Sequence, residues 1–267
     1  MPEGDTIHRA AAKLRKVLEK QIVSRAEGRQ ELTEIQELTG QTVPFVEARG
    51  KHLMIHFSDE QVLHSHMGMT GSWHVYGRHE PWAKPDHYAA VRLDTERGVA
   101  VCFTPKLIEL VTATTLRRNN WLQRLGPDLL GPPISDRQLI SRFRTQRHQP
   151  IGESVMNQTV VSGIGNVYKS ELLFLEQIHP LTPTSIVTDA ALLCLRVRAC
   201  RLMRRNLGRG QRRTRFRSDG PGLWVYDRQG EPCLVCGAAI QMLRQGDLAR
   251  STYFCAECQR YETAPRD

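Results

Sequence analysis

Four cysteines near the end of the chain stand in two matched pairs. Cys233 and Cys236 bracket two residues, Cys255 and Cys258 do the same, and eighteen residues separate the pairs. Two such knuckles supply four thiolates to a tetrahedral zinc and leave no position open for a substrate. The predicted cofactor is therefore one structural Zn2+ per chain. It would supply folding free energy to a hairpin too small for its own core. At the other end the chain reads "MPEGDT". Pro2 is a potential secondary amine and Glu3 a carboxylate beside it, although a solvated, frayed terminus is the plainer reading. In the middle, "QTVVSGIGNVYKSE" puts Gly163 and Gly165 just before Asn166 and a helical pattern. Such a turn can present backbone N–H groups to a phosphate, with Asn166 adding a donor. A helix–turn–helix corner capped by Asn166 fits those residues equally well.

These residues need elements to hold them. Asp5 reads as an N-cap, and Ile7, Ala11, Leu14 and Leu18 after it mark an amphipathic helix of about four turns. From Gln41 to Phe103 the pattern turns strand-like, in "TVPFVEARGKHLMIHFS", "QVLHSHMGMTGSWHVYG" and "YAAVRLDTERGVAVCFT". A β-sandwich or barrel with one packed helix is expected. The segment "RLGPDLLGPPISD" is a boundary, and helices are predicted over 136–146, 152–160, 166–178 and 188–206. The stretch 207–223 reads as a loop. The fold class is thus α+β multidomain, with domains over 1–122, 123–223 and 224–267.

Composition narrows the partners. Of 267 residues, 40% are hydrophobic, which indicates a globular chain, and the net charge is +9. There is neither a long apolar run nor a basic-then-apolar leader, so no membrane partner and a cytoplasmic, nucleoid-associated location are expected. "RLMRRNLGRGQRRTRFR" (201–217) holds eight arginines and no acid, which favours a nucleic acid over a solvated helix face. Seven cysteines, an odd number, argue against a disulfide framework. Cys102, Cys194 and Cys200 lie in apolar contexts and are expected to be buried thiols. His64 and His66 share a strand face without a third ligand at a matching spacing and are read as structural or DNA-facing. Arg250, in "ARSTYFC", is placed at the tip of the cysteine hairpin.

"PEG" at the start, "RGKHLMIHF", "GIGN" and the four-cysteine finger occur in this order along the whole chain. Together they resemble the formamidopyrimidine-DNA glycosylase / endonuclease VIII family of bifunctional base-excision repair enzymes. The resemblance implies an N-terminal β-sandwich with a helix, a helix–two-turn–helix domain and a zinc finger, with damaged DNA bound in the cleft between the two halves by a monomer. "WLQRLGPDLL" is similar to the endonuclease VIII branch. The Asp-Pro-Arg-Arg-Phe-Gly loop of the other branch has no counterpart in "LIELVTATTLRRNNW", which favours oxidised pyrimidines. "HMGMTGSW" is more like the formamidopyrimidine enzyme, and Thr6 stands where the family has a second glutamate.

By this resemblance, Pro2 freed of Met1 is the nucleophile and Glu3 the proton shuttle. Lys51 protonates or orients leaving groups and holds a phosphate. Asn166 and Arg250 clamp the phosphates flanking the extracted nucleotide, and Arg250 also assists the last elimination. Arg124 contacts DNA. Met69 is the wedge that fills the gap left by the flipped base, with a core methionine as the alternative; Gly68 departs from the polar residue that endonuclease VIII carries there. Three rival functions remain: an oxidised-purine glycosylase, a catalytically weakened damage-binding relative, and a zinc-ribbon protein from outside the family.

Overall fold

The computed structural model describes residues 2–208 and 210–261. Met1, Arg209 within the arginine stretch, and 262–267 at the end of the predicted finger domain lie outside the described residues. The chain divides into two units, one ending at Arg124 and one starting at Leu125.

The first unit opens with helix α1 (Gly4–Leu18). Ile7, Ala11, Leu14 and Leu18 are fully buried, as their spacing predicts. The helix begins earlier than expected. Glu3 is the N-cap, and Asp5 lies inside the first turn, where its carboxylate accepts the Thr6 N–H at 2.8 Å. An acid in the first turn faces the positive end of the helix dipole without acting as a cap.

Two four-stranded antiparallel sheets follow. One holds β1 (Arg25–Gly28), β6 (Ala89–Thr95), β7 (Gly98–Phe103) and β5 (Ser72–Tyr76), in that order. The other holds β2 (Val46–Arg49), β3 (His52–His56), β4 (Gln61–His66) and β8 (Leu107–Thr112). Alternating side chains from both sheets, among them Leu53, Ile55, Leu63, Leu93 and Ala100, share one core with α1. The sequence segment 61–77 is not a hairpin: β4 lies inside one sheet, between β3 and β8, and β5 is an edge strand of the other, so the Met67–Gly71 turn crosses between them. Two short helices, α2 (Ala113–Arg118) and α3 (Asn120–Arg124), close the unit and pack Leu116 and Leu122 on Met54 and Val62.

The second unit is helical and then zinc-finger-like. Helices α4 (Asp136–Arg144), α5 (Ile151–Met156), α6 (Asn166–Leu175) and α7 (Asp189–Arg205) surround a core that includes Leu139, Val155, Tyr168, Leu172 and Leu192. A capping box at Ser135 and Gln138 starts α4, and Thr188 caps α7. Of the three remaining thiols, Cys102 is buried and Cys200 half-buried. Cys194 is exposed, against expectation, because it faces outward on α7. Strands β9 (Gln241–Gln245) and β10 (Arg250–Phe254) pair as a hairpin. Among the described residues no helix is long and apolar enough to cross a membrane.

Candidate active site and zinc centre

The start of α1 holds the first two candidates. Pro2 is half-buried, and Glu3 has no solvent exposure. The Glu3 carbonyl accepts the N–H groups of Thr6 and Ile7 at 2.9 and 3.1 Å, so the terminus is fixed from its third residue onward. Thr6, in place of the family's glutamate, is half-buried with its hydroxyl 3.3 Å from the Asp5 carboxylate.

Lys51 was expected on a strand. It lies instead in the two-residue turn between β2 and β3, where Arg49 faces His52 across the hairpin and Gly50 takes φ 60°. A glycine in that left-handed region turns the chain without a Cβ clash and leaves Lys51 at the hairpin's end.

Behind that turn stands a cluster that the sequence reading only half found. His64 is fully buried, and its Nδ1 is 2.8 Å from Glu109 Oε1. Its Nε2 is 3.0 Å from His52 Nδ1. The network fixes the tautomers: His64 donates from Nδ1 to the carboxylate, His52 donates from Nδ1 to His64, and His52 Nε2 keeps its lone pair. Trp121 stacks on both rings, at 4.1 and 4.7 Å between centroids. His66 lies 4.9 Å from His52, and its Nδ1 accepts the Gly68 N–H at 3.1 Å. Burial is the main force on these rings. It lowers His52 to about 3, with the charges of His66, His64, Lys51 and Arg49 helping, and His66 to about 4, helped by Lys51 and Lys106. His64 is lowered too, since burial outweighs Glu109. All three are neutral at pH 7. Of the two readings, structural or DNA-facing, the fully buried His64 fits the first, and the half-buried His66 fits either. His52, Glu109 and Trp121 were missed because only strand register and α3 bring them together.

Met69 sits on the exposed crest of the Met67–Gly71 turn, 72% accessible, whereas Met67 is the one in the core. Gly68 has φ +63°, and a Cβ there would stand 2.7 Å from Lys106 Cβ, so no side chain fits at that position without movement. Arg124 is exposed at the end of α3.

In the second unit, Asn166 is the first residue of α6, and Gly165 holds the N-cap position assigned to Asn166 in the alternative reading. Only Gly163, at φ +107°, uses glycine's freedom; Gly165 is extended, as any residue could be. Gln158 ties the loop, donating to the carbonyls of Met156 and Ile164 and accepting the Gly163 N–H at 3.0 Å. Asn166 is nearly buried, and its Oδ1 has no hydrogen-bond partner. An unsatisfied buried polar atom at a helix N-terminus is unusual in the absence of a ligand. Arg250 is not at the hairpin tip. It begins β10, opposite Gln245, and its Nε is likewise buried without a partner.

The four cysteine sulfurs lie within 4.8 Å of one another. Cys233 and Cys258 are 3.8 Å apart, Cys236 and Cys255 3.4 Å. Tetrahedral zinc with sulfurs at about 2.3 Å sets an S–S edge of about 3.8 Å, so the donor set fits the metal. Gly237, at φ +81°, lets its N–H reach the Cys233 carbonyl at 2.9 Å and closes the first knuckle. The Ala238 backbone hydrogen bond lowers the Cys236 thiol, whereas burial raises Cys255 and Cys258, so metal binding must displace those protons.

Sequence reading also missed Glu171. Fully buried in α6, it accepts the backbone N–H groups of Trp224, Val225 and Tyr226, each at 2.8 Å, and the Thr214 hydroxyl. Much of the arginine stretch is internally committed as well. Arg215 pairs with Asp219, Arg213 donates to the carbonyls of Arg215 and Arg217, and Arg205 lies over Phe216.

Comparison with known proteins gives this geometry a family. Residues 1–106 match the formamidopyrimidine-DNA glycosylase N-terminal domain, 125–218 its H2TH domain, and 230–260 the zinc finger found in FPG and IleRS. A probable endonuclease 8 2 of Streptomyces coelicolor is 36% identical, with 97% of this chain and 94% of that protein covered. The DNA-(apurinic or apyrimidinic site) lyase Nei2 of Mycolicibacterium smegmatis is 34% identical over 97% of this chain and 99% of its own. The Lactococcus lactis Fpg in complex with abasic-site DNA shares the fold, with a TM-score of 0.80 at 23% identity, covering 97% of this chain and 99% of that one. With its sandwich, H2TH helices and four-cysteine finger matched in order, the chain belongs to the formamidopyrimidine-DNA glycosylase / endonuclease VIII family of DNA glycosylases with abasic-site lyase activity.

Proposed function

We propose that the chain excises oxidised bases, pyrimidines in preference to purines, from damaged DNA and cleaves the strand through a Schiff base on Pro2. The buried Glu3 at the N-cap of α1 carries this reading, because it holds a carboxylate beside the terminal nitrogen in a fixed place. Removal of Met1 leaves Pro2 a secondary amine. An α-amino group has a reference pKa of about 7.7–8.0, and the positive end of α1 disfavours its protonated form, so an appreciable fraction of the amine is neutral at pH 7.

The amine attacks sugar C1′, and the N-glycosidic bond breaks. The base leaves with its bonding electrons and takes up a proton. Glu3 shuttles protons between sugar and base. The amine then gives up its N–H proton, the C1′–O4′ bond breaks as O4′ takes up a proton, and the ring-opened iminium, cationic without protonation at nitrogen, draws electrons from C2′. Loss of the C2′ proton then expels the 3′ phosphate, and a second elimination expels the 5′ phosphate. Lys51 orients the leaving groups and holds a phosphate. Asn166, through its side-chain amide N–H, and Arg250, whose buried Nε–H has no partner, receive the phosphates flanking the extracted nucleotide. Met69 enters the vacated stack, as an exposed, flexible apolar side chain on a tight turn can. The zinc holds the hairpin that carries Arg250.

Borohydride added to the protein with duplex DNA bearing thymine glycol or an abasic site is expected to trap a covalent adduct mapping to Pro2. Pro2→Gly should reduce trapping by about 100-fold or more while salt-dependent DNA binding stays within a few-fold. Zinc-loaded protein that gives no adduct with either substrate would overturn the enzymatic mechanism. Preferential excision of 8-oxoguanine over thymine glycol would overturn the pyrimidine preference alone.

A further inference from the structure

One concave surface of the second unit has no part in this chemistry. A groove of about 540 Å3 runs between α7 and the segment 127–134. Its lining is apolar, with Leu129 and Leu139 buried at the base, Pro133 and Ile134 on one wall and Val197 on the other. Val197 is 59% exposed, while its neighbours Leu195 and Ala199 face the core. Arg201 and Arg204 rise from the next turns of α7 along the rim. Both are exposed and neither forms an ion pair with a carboxylate among the described residues. The other charges of the groove are already engaged: Arg196 holds Asp136 and the Ile134 carbonyl, Arg205 lies over Phe216, and Asp128 Oδ1 accepts the Leu130 N–H.

An apolar floor with a free cationic rim has a definite complement. A DNA backbone offers phosphates to the rim but no apolar side chain for the floor. An acidic peptide with one or two apolar anchors offers both, and a groove of this size buries side chains rather than a flat surface. We propose that this groove docks an acidic segment of a partner protein, seating its apolar anchors between Ile134 and Val197 and its carboxylates on Arg201 and Arg204.

Fluorescence anisotropy on the full-length, zinc-loaded protein tests this. The probes are fluorescein-labelled peptides rich in Asp and Glu that carry one, two or three Leu or Phe residues. Saturable binding by at least one peptide is expected, weakened about tenfold or more by Val197→Asp. Changing the peptide's acids to amides, or its anchors to serine, should weaken it similarly. Val197 lies on an exposed helix face outside the proposed catalytic machinery, so V197D should leave far-ultraviolet circular dichroism and abasic-duplex binding unchanged. Arg201→Ala with Arg204→Ala should weaken peptide binding and flatten its salt dependence. The proposal is overturned if no peptide in the set binds saturably, or if V197D binds as tightly as the native protein. It is also overturned if undamaged duplex displaces the peptide and V197D loses DNA affinity, which would make the groove a DNA surface.

Discussion

Glu3 is a carboxylate removed from water at the first turn of a helix. Glu3→Gln keeps its shape and removes its proton chemistry. Single-turnover base release should fall by about 10²–10⁴, with DNA affinity within a few-fold. The histidines behind Lys51 make a second residue-scale prediction. A neutral, buried imidazole whose pKa is depressed stabilises the fold fully above its unfolded value of about 6.5, and that stability is lost as pH falls toward the folded value. For His52, held at about 3, the window runs from about pH 6.5 down to that value. The cost is about 1.4 kcal/mol per pH unit, or about 2 kcal/mol by pH 5 from this ring alone. Amide protection factors in β3 and β4, corrected for the intrinsic pH dependence of exchange, should fall accordingly between pH 7 and pH 5, and His52→Phe should flatten the response.

At the scale of elements, turns and anchors decide where those residues stand. Gly68→Ala puts a Cβ into Lys106 at a positive φ. A loss of about 1–3 kcal/mol in stability, or a displaced Met69 turn with weaker excision, should follow, as read by thermal unfolding and single-turnover kinetics. Glu171→Gln keeps the volume but leaves at least one of three backbone donors facing an amide N–H. It should cost about 2–4 kcal/mol, read as early protease cleavage near 214–226. These elements differed in how far sequence revealed them. Helix α1 was legible because Ile7, Ala11, Leu14 and Leu18 repeat with the helical period. The turn at Lys51 was not, because Gly50–Lys51 lacks an Asn-Gly signature and "RGKHLMIHF" reads as one β-rich run. Glu109 meets His64 across the β4–β8 register, 45 residues away in sequence, and no local pattern encodes that pairing. Glu171 looked like one more helical acid, since its partners come from a later loop.

For the molecule as a whole, a net charge of +9 implies DNA affinity that falls linearly on logarithmic axes with salt. Arg124, exposed and without an ion pair among the described residues, tests which arginines carry that slope against Arg215, which is spent on Asp219. If the surface arginines meet phosphates, Arg→Ala at one of them lowers the slope by about 1, while Arg215→Ala costs stability first. Chelation of zinc should melt the β9–β10 hairpin and remove Arg250 from its place. Asn166 should remain ordered, because Tyr168, Leu172 and Leu173 anchor its helix in the helical core, and of its apolar side chains only those at the far end of α6, from Phe174, pack with the finger.

Helix α6 carries Asn166 at its first residue, and one turn later the Ser170 hydroxyl accepts the Tyr253 N–H of β10, the strand that Arg250 begins. The two proposed phosphate-binding side chains therefore sit on a single stiff frame, like the jaws of a fixed caliper. Such a gauge measures the spacing of the sugar–phosphate chain and is indifferent to the base. If both side chains take the proposed phosphates, the frame ties recognition to how readily the backbone adopts that spacing, ahead of any reading of the base.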